Sequence, residues 1–221
     1  MLKVEKLRTF NWEGALRGLR NPMNSWAKSD STFDENGNFI NIGENDLRLM
    51  KSLFKAGTEH RKYLRQIFVS MDITAPLYWI SELDTYKVGT VRNSCSFMHK
   101  GVSKPFEITD FSTHDVLKDV APSSYYRNAK TWDTILDTLN QLREEYLDTK
   151  DNDIFQQIRC LLPSGYNLRF TITMNYENVF TIIKQRSGHR LEEWSELIEG
   201  LKTLPYVQEL LSTLDEKEAK Q

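Results

Sequence analysis

Two arginines are the residues best suited to binding chemistry in this sequence. Arg159 precedes a short apolar segment that Pro163 ends, and Arg186 lies eleven residues beyond Asn175, which opens an amphipathic segment. A strand-like run over residues 166–174 comes between them. If that strand and the following helix pack side by side, both guanidinium groups converge on one anion, and a guanidinium binds phosphate through two parallel hydrogen bonds. The alternative is two surface arginines in salt bridges.

A segment rich in small polar residues, 85–99, is a second candidate for a binding site. It follows an apolar helical pattern and contains Ser94, Cys95 and Ser96. Backbone N–H groups and hydroxyls in such a loop can cradle an anion or a nucleotide. The alternative is an ordinary surface loop.

The composition excludes several classes of protein. The 221 residues carry a net charge of -2, so no global basic field indicates nucleic-acid binding. The two cysteines, Cys95 and Cys160, form no disulfide framework and fit a reduced protein. The first residues do not resemble a signal peptide, and no apolar run is long enough to span a membrane. We expect a soluble, cytoplasmic protein without a metal site, because it has only four histidines and no clustered carboxylates.

Hydrophobic periodicity and capping signals predict an α+β chain in which helices dominate. Strands are predicted over residues 2–10, 67–74 and 166–174, and a turn at 34–37 falls within a long loop over 20–43. Helices are predicted over 44–56, 77–87, 132–146, 154–162, 176–186 and 190–201, with a short one from Pro205. Residues 100–128 are expected to be irregular, and the charged tail from about residue 213 to be frayed. With no repeat or linker, we expect one domain over residues 1–221.

The segment that begins at Ala75-Pro76 resembles the central region of the flavin-dependent thymidylate synthases, the ThyX family. The family's motif is Arg-His-Arg, a short spacer, a serine and then Asn-Glu-x-Ser, and it follows a helix that begins Ala-Pro. In this sequence, Thr85-Tyr86-Lys87 fills the Arg-His-Arg slot at the same spacing from Ala-Pro. With one inserted residue, Asn93 and Ser96 match the later asparagine and serine, and Ser94 takes the place of the glutamate.

The C-terminal half is similar to the same family through its spacings. The family shows an arginine, a Leu-Pro, a strand, an asparagine, and an arginine eleven residues beyond that asparagine. This chain follows the same order without a gap, through Arg159, Leu162-Pro163, Asn175 and Arg186. Upstream, His60 falls on the histidine of the family's Ser-Gly-His segment. The resemblance covers about residues 55–100 and 155–200.

This resemblance implies a ThyX-like fold, in which helices pack around a small, mostly antiparallel sheet. It implies an enzyme that uses FAD and NADPH to methylate dUMP, or a related pyrimidine deoxynucleotide, with methylenetetrahydrofolate as the carbon donor. Family members are homotetramers whose active sites combine residues from several subunits. The family activates the uracil ring electrostatically, and an arginine beside the pyrimidine suits that role because it stabilises negative charge developing on the ring.

The resemblance also implies a set of site residues. The implied substrate-binding residues are Glu82, Ser94, Ser96, Arg159 and Arg186, of which Ser96 and Arg186 are the implied catalytic ones. The implied cofactor-binding residues are His60, Tyr86, Lys87, Asn93 and Asn175.

Departures from the family pattern leave two further hypotheses open. Thr85 and Tyr86 replace the first arginine and the histidine of the Arg-His-Arg motif, and only Lys87 keeps a charge. The second hypothesis is therefore a protein of this fold that binds flavin or a nucleotide without methyl transfer. The third is a helical interaction module without a small-molecule site, in which the two arginines form salt bridges with acids such as Glu177 or Glu193.

Overall fold

The computed structural model describes residues 2–113 and 122–218. Its helices are α1 Trp12–Arg20, α2 Glu44–Ala56, α3 Leu77–Leu83, α4 Phe97–Lys100, α5 Pro122–Thr149, α6 Asn152–Leu161, α7 Tyr176–Arg186, α8 Glu192–Lys202 and α9 Val207–Glu218. Its strands are β1 Lys3–Phe10, β2 Thr32–Phe33, β3 Phe39–Asn41, β4 Phe68–Pro76, β5 Val91–Ser94 and β6 Asn167–Asn175. Within these ranges, no helix is both long enough and apolar enough to cross a membrane.

Four of the strands form one sheet in the order β1-β4-β6-β5. Its central pair is antiparallel, because Tyr176 N donates to Ile67 O at one end and Leu77 N donates to Tyr166 O at the other, each at 3.0 Å. Strands β2 and β3 form a separate antiparallel hairpin around the predicted turn at 34–37. The chain is thus α+β with a small antiparallel sheet, which confirms the predicted fold class.

The chain divides into two compact units. The first unit consists of Met1–Lys3, Ile73–Thr85 and Asn93–Phe170. Its core is an apolar cluster from α5, α6 and the segment between α4 and α5, made of Val102, Phe106, Phe111, Leu139, Phe155 and Ile158. The second unit consists of Val4–Asp72, Tyr86–Arg92 and Thr171–Gln221.

The core of the second unit is built around large aromatic side chains. Trp12, Tyr176 and Trp194 are almost fully buried there. The Trp12 ring meets the rings of Phe39, Tyr176 and Tyr206 edge to face, at centroid distances of 5.0–5.8 Å. Such edge contacts stabilise the core beyond the area they bury.

Most predicted elements are confirmed, and two boundaries are wrong. Helix α3 ends at Leu83 and not at residue 87, because the amide and hydroxyl of Thr85 both donate to Glu82 O and close a turn there. Helix α5 begins at Pro122, so the last part of the 100–128 range is helical; proline fits a first helical turn, where no N–H donor is needed.

Two predictions fall partly outside the described residues, and a third is not tested. Residues 114–121 of the range expected to be irregular lie outside the described part of the chain, as do residues 219–221 of the tail, while α9 continues to Glu218. The expectation of a single domain stays a prediction.

Candidate functional site

The first turn of α7 is organised by Asn175, the residue that the sequence places at its start. Asn175 has extended backbone angles, and its Oδ1 accepts a hydrogen bond from Asn178 N at 3.1 Å. This is the usual N-cap interaction, which satisfies one of the amides left without a partner at a helix start. Asn175 is 7% exposed, and its Nδ2 donates to no residue in the described ranges. One amide donor therefore remains available at this end of the helix.

The loop that follows Thr85-Tyr86-Lys87 lies against this same turn. Asn178 Nδ2 donates to Val88 O at 2.8 Å and to Thr90 Oγ1 at 2.9 Å. Gly89, between them, has a φ of 72°, and a Cβ at this position would lie 2.4 Å from Asn175 Nδ2. Only glycine allows both this backbone conformation and this close approach. The loop is thus fixed to α7 at its glycine.

A third segment reaches the first turn of α7 through an ion pair. Arg61 Nη2 lies 2.8 Å from Glu177 Oε1, and the Arg61 guanidinium lies 4.9 Å from the centre of the Phe54 ring. His60, the preceding residue, is exposed, and its amide donates to Gly57 O at 3.1 Å. Glu177, which the interaction-module hypothesis pairs with Arg159 or Arg186, is paired with Arg61.

The last turn of α7 places Arg186 among aromatic side chains. Arg186 Nε donates to Tyr86 Oη at 2.9 Å, and its guanidinium carbon lies 4.5 Å from the centre of the Trp194 ring. Tyr86 Oη in turn donates to Gln185 Oε1 at 3.1 Å. We call Arg186, Tyr86, Trp194 and His189 the Arg186 cluster. Tyr86 and Trp194 thus hold the guanidinium through a hydrogen bond and a cation–π contact.

His189 completes the Arg186 cluster from the turn between α7 and α8. Its Nε2 lies 3.1 Å from Arg186 Nη1, and its Nδ1 lies 3.2 Å from the amide of Leu191. A neutral imidazole has one acceptor nitrogen, so it accepts from only one of these two donors at a time. The His189 ring also meets the Trp194 ring edge to face at 6.3 Å. The turn after α7 is thereby held next to Arg186.

The sequence-predicted residues divide between the two units. The second unit contains His60, Tyr86, Lys87, Asn175 and Arg186, and brings Tyr86 and Arg186 into direct contact. The first unit contains Glu82, Asn93, Ser94, Ser96 and Arg159. The convergence of Arg159 and Arg186 on one anion stays a prediction.

In the first unit, the predicted residues lie at the ends of short elements. Glu82 lies in the last turn of α3, and Asn93 and Ser94 end β5. Ser96 precedes α4, and its carbonyl oxygen accepts from Lys100 N at 3.0 Å. Arg159 is exposed in the last turn of α6.

Sequence reasoning missed three residues that shape this region: Trp194, His189 and Asn178. Each acts through a contact with a segment distant in the chain or beyond a turn. The signal for Trp194 is a tryptophan on the apolar face of a helix close after Arg186, a pattern that equally fits an ordinary core position. Asn178 gives no signal, because an asparagine in a first helical turn usually contacts its own backbone.

Comparison with known proteins places this geometry in a known fold. No family model matches the sequence, and no curated protein matches it either. Among solved structures, the chain is similar to the flavin-dependent thymidylate synthase ThyX from Helicobacter pylori complexed with FAD and dUMP. The TM-score is 0.62 at 15% identity, covering 92% of this chain and 94% of the other. A second Helicobacter pylori ThyX structure with FAD and dUMP gives 0.62 at 17% identity, covering 93% and 94%.

The chain is also similar to the solved structure of a nucleotide methylase. The UMP/dUMP methylase PolB from Streptomyces cacaoi, bound with 5-Br dUMP, gives a TM-score of 0.62 at 14% identity, covering 92% of this chain and 89% of the other. Identities this low show a shared fold and leave the activity open. The chain therefore has the fold of the flavin-dependent thymidylate synthases.

Proposed function

We propose that the protein is an FAD-dependent, thymidylate synthase-like enzyme that reductively methylates dUMP or a related pyrimidine deoxynucleotide. The observation that carries this proposal is the Arg186 cluster, which holds a guanidinium in place at the end of α7 in a chain of this fold. Three solved structures of the fold are described as bound to dUMP or its 5-bromo analogue.

Arg186 is the proposed centre of nucleotide binding. A guanidinium already fixed by Tyr86 and Trp194 loses less conformational freedom when it binds an anion than a free arginine does. Beside a pyrimidine it would stabilise negative charge that develops on the ring during attack. Ser96 is the second proposed catalytic residue. Further proposed contacts to the nucleotide come from Glu82, Ser94 and Arg159.

Three residues of the second unit offer donors that suit a flavin. Lys87 and His60 are exposed, and their side chains have no hydrogen bond or ion pair within the described ranges; the Nδ2 of Asn175 is likewise available. An ammonium, an imidazole and an amide are donors that the diphosphate and the ring carbonyls of FAD accept. We propose that these three residues, with Tyr86 and Asn93, hold FAD.

A bound flavin would supply the redox chemistry and carry the one-carbon unit. We propose NADPH as the reductant, methylenetetrahydrofolate as the carbon donor and a homotetramer as the assembly. The residues of this chain would then bind and orient the nucleotide, and exclude water from it.

A second candidate function is nucleotide binding without methyl transfer. It is favoured by Tyr86, which stands where the family has the histidine of Arg-His-Arg and whose hydroxyl is already engaged by Arg186 and Gln185. A hydroxyl used in this way is less available to a cofactor. The tyrosine at position 86 therefore affects cofactor binding and methyl transfer more than it affects nucleotide binding.

Flavin retention tests the proposal directly. Purified protein is mixed with FAD, desalted with and without dUMP, and the retained flavin is measured by its visible absorbance. We expect near-stoichiometric retention, strengthened by dUMP. Absence of retained flavin under both conditions would contradict the proposal.

Complementation separates the two candidate functions. The gene is expressed in a strain that requires thymidine, and growth without thymidine is scored. Growth supports methyl transfer, whereas flavin or dUMP binding without growth favours the second candidate. An Arg186→Gln variant serves as the inactive comparison in both cases.

A further inference from the structure

A cationic cavity lies in the second unit, away from the Arg186 cluster. Its volume is about 380 Å³, and it is lined by Arg20, Lys28, Asn45, Arg48, Leu49 and Ser52. This volume is in the range of small-molecule sites. Three of the six lining side chains are cationic, and none is acidic. None of these residues is used in the proposed flavin or nucleotide site.

Arg20 lines this cavity, and its side chain is buried and held in place. It is 5% exposed, and its Nη2 lies 2.7 Å from Asp46 Oδ1 and donates to Lys28 O at 3.1 Å. Its Nε also donates to Asp46 Oδ1, at 2.8 Å. Its Nη1 donates to no residue in the described ranges. Arg20 therefore has a fixed guanidinium edge at Nη1, whose donors are unused.

Asp46 is the support that fixes Arg20. It is 0% exposed and accepts from the hydroxyls of Ser29 and Ser31, at 2.7 and 2.6 Å, and from the amides of Asp30 and Ser31, both at 3.2 Å. Burial alone would raise its pKa, but the hydrogen bonds from Ser31, Ser29 and Arg20, with the Arg20 charge, hold the pKa of Asp46 below its usual value. Asp46 thus stays ionised and balances one positive charge.

Two further cations at the cavity form no ion pair with a described residue. Lys28 is exposed and forms no ion pair with a described residue. Arg48 Nη2 donates to the neutral Asn45 Oδ1 at 2.5 Å, and Arg48 likewise has no acidic partner among the described residues. Two unpaired cations beside a fixed guanidinium edge match a doubly charged anion.

We propose that this cavity is a second anion site, which binds a phosphate-bearing small molecule. Arg20 offers its fixed edge to the phosphate, Arg48 adds a guanidinium from α2, and Lys28 adds a point charge. Ser52 supplies a hydroxyl donor at the same wall. A phosphate monoester is favoured over a carboxylate because it carries about two negative charges at neutral pH.

The test uses inorganic phosphate as the probe and isothermal titration calorimetry on the full chain. Titrations are made with the wild type and with the Arg186→Gln background, which removes the proposed nucleotide contact. The variants are Arg48→Gln and Lys28→Gln. Lys51→Gln removes the same charge from α2 outside the cavity and is the matched control.

Saturable phosphate binding is expected in both backgrounds. Arg48→Gln should weaken it about tenfold, since a charge-assisted hydrogen bond is lost, and Lys28→Gln somewhat less. Lys51→Gln should leave it within about twofold, because the screened charge lies off the site. The proposal is overturned if phosphate does not saturate, if both cavity variants bind like the parent, or if Lys51→Gln weakens binding as much as Arg48→Gln. None of these results depends on whether dUMP or FAD binds.

Discussion

The two ends of α7 are built by different interactions. At the first turn, Asn175 caps the helix, while Asn178 and Glu177 join it to neighbouring segments through hydrogen bonds and an ion pair. At the last turn, Arg186 is held by a tyrosine hydroxyl and a tryptophan ring. The first arrangement uses most of its polar groups on the protein itself, with Asn175 Nδ2 left available, whereas the second positions a guanidinium. We infer that the first turn serves mainly stability and the last turn mainly binding.

The loop over residues 86–90 connects these two ends. Its glycine rests on the first turn, while Tyr86 reaches the last one. A change at the first turn can therefore disturb the last turn through the loop, but a change in the Arg186 cluster should leave the cap intact. Variants at the two ends test this asymmetry.

Gly89→Ala should have the largest effect on stability. The new Cβ would displace the buried side chain of Asn175 and occupy a left-handed conformation, so we expect the free energy of unfolding to fall by about 2–3 kcal/mol. Gly188→Ala is the matched control, because Gly188 has the same φ of 72° and nothing within 4 Å of its Cβ position. That variant should lose only about 1–2 kcal/mol in urea unfolding. If the two variants lose equal free energy of unfolding, the close contact between Gly89 and Asn175 does not contribute to the effect.

Asn175→Ala should lower the free energy of unfolding by about 1 kcal/mol, because the N-cap bond to Asn178 is lost. Asn152→Ala, at an exposed position that opens α6 without capping it, should change stability by less than about 0.5 kcal/mol. Chemical denaturation measures both. If the two variants are equally stable, Asn175 is not acting as a cap.

Tyr176→Phe should cost roughly 0.5–1.5 kcal/mol at neutral pH, because the hydroxyl donates to Pro205 O at 3.1 Å. Burial, with the charge of Glu209, raises the pKa of Tyr176 above its ordinary value. A raised pKa in the folded state gives stability that is present below about pH 10, where the unfolded tyrosine is neutral, and is lost as the pH rises further. The wild type should therefore lose its advantage over the variant above about pH 10. A difference that stays constant with pH would contradict this.

Tyr86→Phe should have the smallest effect on stability, less than about 1 kcal/mol, because the loss is confined to the hydroxyl bonds at the half-buried Arg186 cluster. The dUMP affinity should also fall, by about a few-fold, since Arg186 is then held by Trp194 with less restraint. Tyr146→Phe, in the first unit, removes a hydroxyl that has no hydrogen bond to a described residue and is the control. Unchanged dUMP affinity in Tyr86→Phe would show that Tyr86 does not position Arg186.

The sequence is sufficient to predict α7 and its cap. Asn175, an acidic residue after it and an amphipathic pattern predict a helix over 176–186, and α7 has these bounds. These signals are local, since they depend on residues within two turns. The Arg186 cluster is not predictable in the same way, because Tyr86 lies 100 residues away in the chain and Trp194 lies beyond a turn.

The wrong boundaries also have a physical reason. The helix predicted over 77–87 is four residues longer than α3, because helical propensity does not register the closing bonds of Thr85 to Glu82. The cavity around Arg20 gives no sequence signal, since its cations come from the end of α1, the loop before α2, and α2 itself. Contacts between segments so far apart in the chain cannot be predicted from local sequence patterns.

The most direct test concerns Arg186, which we propose binds a pyrimidine nucleotide while Tyr86 and Trp194 hold it in place. Calorimetric titration of the full chain with dUMP provides this test, using wild type, Arg186→Gln and the exposed control Lys184→Gln on the same helix. We predict saturable binding by the wild type, a loss of about tenfold to a hundredfold in Arg186→Gln, and no more than about a twofold change in Lys184→Gln. Equal affinity in wild type and Arg186→Gln, or no dUMP binding by the wild type, would contradict this role for Arg186.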